Sequence, residues 1–464
     1  MNRSVLAPLV VLVLTTLGWP PARALAGEAQ FQVNTYIANV QTKPALAAAA
    51  SGNFVVVWRS FGAAEEINSR NRIQGRLFDA NVQPAGAAIN LDLDEACGSQ
   101  WWDCKRDDPA VDTLPSGGFV ATWAFWQWGP SPTWGRLHAI RARLFAGDGT
   151  ALGPEFEVSP PLTQFDGTAA SPVVAADELG GFVIAWAKGD SYNNEDLDIF
   201  ARRYDASGAP LGPEFQVNTL TTGHQLRPVI AGAPGGGFVL LWQSASSLGG
   251  DGSGMSLQAR RFDATGAALG PEFQVNAYTT GHQFRAAVGF DADGGFVAAW
   301  ESWGSDGGDD SEGSVQARRF SADGTPAGPQ FQVNETSAGE QGFPAVAVQP
   351  DGSFLVSWWS GADVRAWRGD LIGGYVGTVR ARRFDPLGQP LGPELQINSA
   401  GVATPDSPAL GALPGGNFVL AWASDVGSAG DELDGIEARL LTEDWIFPDG
   451  FETAGTSRWS SAQR

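Results

Sequence analysis

Eight of the eighteen tryptophans are the residues in this sequence best suited to holding a ligand. They are Trp101 and Trp102, then Trp126, Trp128 and Trp134 in "AFWQWGPSPTWGR", then Trp303, and finally Trp359 and Trp367 in "WSGADVRAWRGDLIGGY". Flat apolar rings beside polar groups are what sugar rings and protein partners stack against. The competing use is local: a long loop can pack a small core of its own around such rings.

Carboxylates form a second chemical resource. Acid-rich stretches with glycine run over Gly189–Asp198, Gly249–Gly254, Ser305–Gly313 and Gly430–Gly435. Oxygen ligands on such loops can wrap calcium, yet none follows the D-x-[DN]-x-[DN]-G spacing. Solvated acidic turns are the plainer expectation, with calcium the one candidate ion and no other cofactor expected. His224 and His282 share a position in two copies of "TTGHQ" and could share a metal, but duplication of one blade is the preferred account. No nucleophile elbow, HExxH helix, phosphate loop or Ser/His/Asp arrangement occurs, so an enzyme is the less favoured class.

Arg3, the apolar run Val5–Leu17 and Ala24-Leu25-Ala26 have the form of a secretory signal over residues 1–26, too short to span a bilayer. Export to an oxidising compartment makes Cys97 and Cys104, the only cysteines, an expected short-loop disulfide. The formal net charge of −22 becomes −24 once Arg3 and Arg23 leave with the leader. That charge repels nucleic acid and anionic lipid and favours a soluble, secreted monomer whose small partners are cations.

The elements that must position these residues repeat. "FQVN" stands at Phe31, Phe215, Phe273 and Phe331, with variants at Ile89, Phe156 and Leu395. A strand such as "GFVAAW" ends at Trp58, Trp123, Trp186, Trp242, Trp300, Trp358 and Trp422. A third carries Arg76, Arg143, Arg202, Arg260, Arg318, Arg382 and Arg439, as in "QARRF". Self-similarity at a fixed period signals a repeat architecture. Each unit reads as four short strands joined by Gly-rich turns and one long loop, so the fold class predicted for residues 27–441 is an all-β, seven-bladed propeller of four-stranded antiparallel blades.

Period-two alternation places Phe296, Ala298 and Trp300 on one face and Val297 with Ala299 on the other, which suits a strand sandwiched between blades. The recurring arginine is expected to stack on an aromatic ring or bond to a neighbouring strand. The seventh unit lacks its own "FQVN", whereas Gln30–Asn34 precedes the first unit with nothing to pair with. The N-terminal strand is therefore expected to complete blade seven, leaving residues 442–464 as a tail.

Strand alternation sends the loops after second and fourth strands to one face, and those are the variable ones. All eight tryptophans are assigned there. The innermost strands are Ala, Val, Gly and Leu, with Asp112, Asp177 and Asp291 only at their ends. The axial channel is therefore predicted to lack a polar cluster.

The unit "PEFQVNxxTTGxQxxPxVA…GGFVxxW…QARRFDxxGxxLG" resembles the tandem repeats of secreted bacterial propeller proteins, distantly similar to the FG-GAP repeats of integrin α-subunits. The resemblance covers residues 29–441 and implies a propeller; the FG and GAP signatures and their calcium loop are absent. "IFPDGFETAGTSRWS", Ile446–Ser460, resembles a "DGFES" type tail of exported bacterial proteins, which implies surface sorting or processing. Three functions stay open: a binding module for a glycan or an extracellular protein on the variable face, a structural or matrix protein, and a glycosidase or lyase with carboxylates from several loops.

Overall fold

Each copy of the repeat folds into one twisted antiparallel sheet. In the fifth, the inner strand Gln283–Phe290 pairs with Phe296–Ser302, that with Ser314–Phe320, and that with the short outer strand Phe331–Gln332. Seven such sheets form a ring in this computed structural model, with each inner strand packed beside the next and the seventh beside the first. The structure describes residues 30–36, 39–61, 71–93, 104–128, 136–162, 168–189, 196–247, 250–304, 313–363, 375–398, 408–424 and 435–442. The two helical elements among them are single 3₁₀ turns at Pro234–Gly236 and Pro414–Gly416, and no helix is long and apolar enough to cross a membrane.

The core is divided as the alternation requires. Phe296, Ala298 and Trp300 pack with Val239 and Leu241 of blade four, while Val297 and Ala299 pack with Val346 and Trp358 of blade six. Seven such apolar clusters occur among the described residues, one at every blade interface. The seven strand-ending tryptophans are fully buried in them. Burying about 200 Å² of indole at about 25 cal/mol per Å² contributes on the order of 5 kcal/mol per ring. Cross-strand pairs such as Phe296 and Phe320 stack with centroids 4.8 Å apart.

"FQVN" owes its recurrence to bonding at the outer edge. Val275 is buried and donates its amide to the carbonyl of Leu257, and the Asn276 side-chain oxygen accepts the Leu257 amide at 2.9 Å. The recurring arginines stitch neighbouring blades: in six of the seven a terminal nitrogen donates to a carbonyl of the preceding blade's outer segment, as Arg318 does to Val275 at 3.0 Å and Arg260 to Val217 at 2.8 Å. Six of the seven, all but Arg439, also lie near the aromatic ring two residues on, 5.6 Å away for Arg318 and Phe320.

Closure follows the expected route. Phe31 pairs with Ala438 and Gln32 with Glu437, so Phe31–Gln32 is the fourth strand beside Gly435–Leu441. Asn34 accepts the Ile436 amide at 2.8 Å, repeating the outer-edge pattern across the two ends of the chain. Residues 1–29 and 443–464 lie outside the described residues.

Candidate functional site: the axial funnel

The inner strands carry a defect that repeats. In all six fully described inner strands the pairing register slips near the start, between Thr42 and Ala45, Asp107 and Ala110, Ala170 and Val173, Leu226 and Val229, Phe284 and Ala287, and Gly342 and Ala345. The first skipped residue has left-handed backbone each time: Lys43, Asp108, Ser171, Arg227, Arg285 and Phe343, with φ between 47° and 55°. Such a conformation costs a non-glycine residue about 1–2 kcal/mol. A β-bulge turns a side chain away from the pleat, and retained strain of this kind clusters at functional sites.

Here the six bulges face one another. They line a cavity of about 700 Å³ at the mouth of the axis, together with Pro44, Pro109, Pro172, Pro228 and Pro344. The expectation of an axial channel without a polar cluster is overturned. The apolar inner strands are as read, but the polar residues enter at the bulge, where period-two alternation fails.

Two ion-pair groups stand in the funnel wall. Between blades one and two, Lys43 Nζ lies 2.8 Å from Asp107 Oδ1 and 2.6 Å from Asp108 Oδ1, and Arg59 Nη1 reaches Asp107 at 3.0 Å. Burial alone would lower the Lys43 pKa, yet the attraction of Asp108 and Asp107 outweighs it and holds the ammonium above its ordinary value. Between blades five and six, Arg285 Nη1 donates to both oxygens of fully buried Glu301, at 3.0 and 2.7 Å, with its guanidinium 3.9 Å above the Phe343 ring. Burial pushes the Glu301 carboxyl up, and Arg285 offsets only part of that.

Blade four contributes Arg227, which is exposed at the mouth and has no hydrogen bond or ion pair among the described residues. Surrounding protein withdraws water from it and Arg285 adds like charge, holding its pKa below the usual guanidinium value; Asp108 and Glu301 act more weakly in the other direction. Ser171 supplies the small hydroxyl of blade three.

The tryptophans are placed unevenly. Trp101, Trp102, Trp134 and Trp367 lie outside the described residues. Trp126 and Trp128 belong to the strand Phe119–Trp128, and Trp126 is half-buried with its ring 5.9 Å from that of His138. Trp359 is a correction: it lies within the strand Phe354–Asp363 and is fully buried against blade seven, since strand pairing continues past Trp358 and alternation turns the next indole into the core. Trp303 is 47 % exposed, edge-on to His282 at 5.4 Å and to Phe284 at 5.5 Å.

Of the remaining candidates, Cys104 is buried at the start of the strand Cys104–Thr113, and Cys97 lies outside the described residues. No free cysteine and no cluster of three metal-ligating side chains occurs among the described residues. Most of the acid-rich stretches also fall outside them; Asp251, which does not, accepts a bond from Asn276 at 2.8 Å. His224 Nδ1 accepts the Leu197 amide and His282 Nδ1 the Met255 amide, each at 3.1 Å, so each ties its loop to the preceding blade.

The funnel residues did leave a signal. Between the near-copies "TTGHQLRPVIAG" and "TTGHQFRAAVGF" the frame is held, while across the repeats the bulge position runs through Lys, Asp, Ser, Arg, Arg and Phe. Residues that differ where the scaffold repeats mark the place where function is free to vary.

No known family model matches the chain, and no curated protein does. Among solved structures it is similar to the Hadza microbial sialidase Hz136, with 10 % identity, a TM-score of 0.50, and coverage of 89 % of this chain and 68 % of that one. A protein of unknown function from Dyadobacter fermentans (12 % identity, TM-score 0.49) is covered over 94 % of its length by 72 % of this chain. An α-L-arabinofuranosidase of Fusarium graminearum (10 % identity, TM-score 0.47) is covered over 98 % by 76 % of this chain. At 10 % identity the likeness to Hz136 shows the fold alone.

Proposed function

We propose that this protein is an exported recognition module that binds a glycan or an extracellular protein at the axial funnel, on the face carrying the variable loops. One observation carries the reading: six bulge residues of different chemistry converge on a single cavity of about 700 Å³, within the roughly 300–1,000 Å³ usual for ligand sites. The leader-like residues 1–26 and the acidic net charge of −22 support export and solubility.

A second reading, glycoside cleavage, is favoured by Glu301, a buried carboxyl pushed upward in pKa at the funnel wall. Against it, the carboxylates there are already engaged: Glu301 by Arg285, and Asp107 with Asp108 by Lys43 and Arg59. Binding needs no group to be released, so it is preferred.

A glycan array probed with the wild type and with Ser171→Trp tests the proposal. The larger side chain at the Ser171 bulge obstructs the funnel, and it should abolish the signals. Signals retained by Ser171→Trp would move binding elsewhere on the molecule, and a silent array followed by a silent extracellular-protein screen would leave the structural-matrix reading.

A further inference from the structure

We propose that Arg227 is a clamp for a single carboxylate on a sugar ring, so that the ligand of the funnel is a saccharide ending in a uronic acid. This deepens the recognition reading and rests on it.

The argument begins with what Arg227 lacks. The carboxylates nearest its charge, Asp108 and Glu301, are held by Lys43 at 2.6 Å and by Arg285 at 2.7 Å. Its own guanidinium is left without an ion pair or hydrogen bond among the described residues, at the rim of the cavity. Its backbone is held in the left-handed region, φ 47°. Its pKa is lowered first by the loss of water around it and then by the like charge of Arg285, and a bound anion would offset both. A guanidinium presents paired N–H donors in the spacing of a carboxylate, which makes it suited to that group.

The rest of the cavity selects the body of the ligand. Five proline rings and Phe343 present apolar surface to a flat ring, and Ser171 and Lys43 offer polar contacts to hydroxyls. The charge of the whole chain restricts the number of anions. At a net charge of −22 a polyanion such as a sulfated polysaccharide is repelled along its length, whereas a ligand with one terminal carboxylate brings its charge only to the guanidinium.

Calorimetric titration of the whole protein with glucuronic and galacturonic acid, with otherwise neutral di- and trisaccharides that end in one of them, and with the methyl esters of each, tests the inference. The acids should bind, and the esters should bind at least tenfold more weakly. Arg227→Gln should weaken the acids roughly ten- to a hundredfold at unchanged melting temperature, with Arg227→Lys recovering part of the loss. Equal affinity for acid and ester, or full affinity in Arg227→Gln, would overturn the clamp. Binding of neutral glycans alone, blocked by Ser171→Trp, would overturn it while leaving the recognition reading intact. If no saccharide or extracellular protein is bound at all, both fall.

Discussion

Arg76 in blade one donates through Nη1 to the carbonyl oxygen of Val33 at 2.9 Å, and Val33 follows the strand that completes blade seven. The same arginine-to-carbonyl bond that joins ordinary neighbours thus also crosses the seam of the ring. Deleting residues 27–34 removes this bond, the Phe31–Gln32 pairing and the buried Val33 together. The melting temperature should fall by many degrees or folding should fail, whereas deleting residues 446–464 should change it by little. The reverse ranking in a thermal melt would mean that the closing strand is not what holds the ring.

Trp300 Nε1 donates to Gln283 Oε1 at 2.9 Å inside the core, and the bond recurs from Trp58 to Gln41, Trp242 to Gln225 and Trp358 to Gln341. Gln283→Leu leaves the indole donor buried without a partner, which costs about 1–3 kcal/mol. Chemical denaturation should show that loss with an unchanged slope. No loss would indicate that a buried indole N–H here tolerates isolation; Trp186, whose repeat has Ala169 at the glutamine position, already has no partner for its Nε1 among the described residues.

Gly342 makes room for Glu301, because a Cβ there would collide with the carboxylate. Gly342→Ala should displace Glu301 from Arg285 and destabilise the protein by about 1–3 kcal/mol, as overpacking does. It should also weaken any funnel ligand several-fold, since Arg285 loses its support. Unaltered stability would show that Glu301 has another place to go.

Asp112 closes an inner strand, accepting the Thr113 and Ala176 amides at 2.8 Å each, and burial raises its pKa to about 6. The folded state therefore holds a proton that the unfolded chain has released above its ordinary carboxylate value of 3.8. Its contribution to stability is present below that value and is lost as pH rises to about 6. Asp112→Asn should flatten this part of the pH profile of unfolding. Identical profiles for wild type and variant would remove Asp112 as the cause.

For Cys97 and Cys104 a disulfide is the expected state in an oxidising compartment. Thiol labelling of the unfolded, unreduced secreted protein should find no reactive thiol before reduction and two after it. Two reactive thiols before reduction would rule the bridge out.

Much of the scaffold was legible because it depends on local rules repeated seven times. Alternation in "FVAAW" assigned Phe296 and Trp300 to one blade interface and Val297 to the other, and the surplus "FQVN" at Phe31 matched the deficit after Leu441. The same rule misplaced Trp359. Its neighbour Trp358 ends the repeated motif, but strand pairing continues to Asp363, so the ring turns inward.

By itself, then, the sequence determined the blade count, the faces of the strands and the way the ring closes, because each follows from periodicity and from edge hydrogen bonds between consecutive segments. The funnel was decided only in three dimensions. Lys43, Asp108, Ser171, Arg227, Arg285 and Phe343 lie in six different repeats, each near the start of its inner strand. A bulge in each strand turns the side chain out of the pleat, and closure of the ring brings the six together around one cavity. Neither event leaves a mark on the spacing of residues within a repeat, so the charge that makes this a site appears only when the circle is complete.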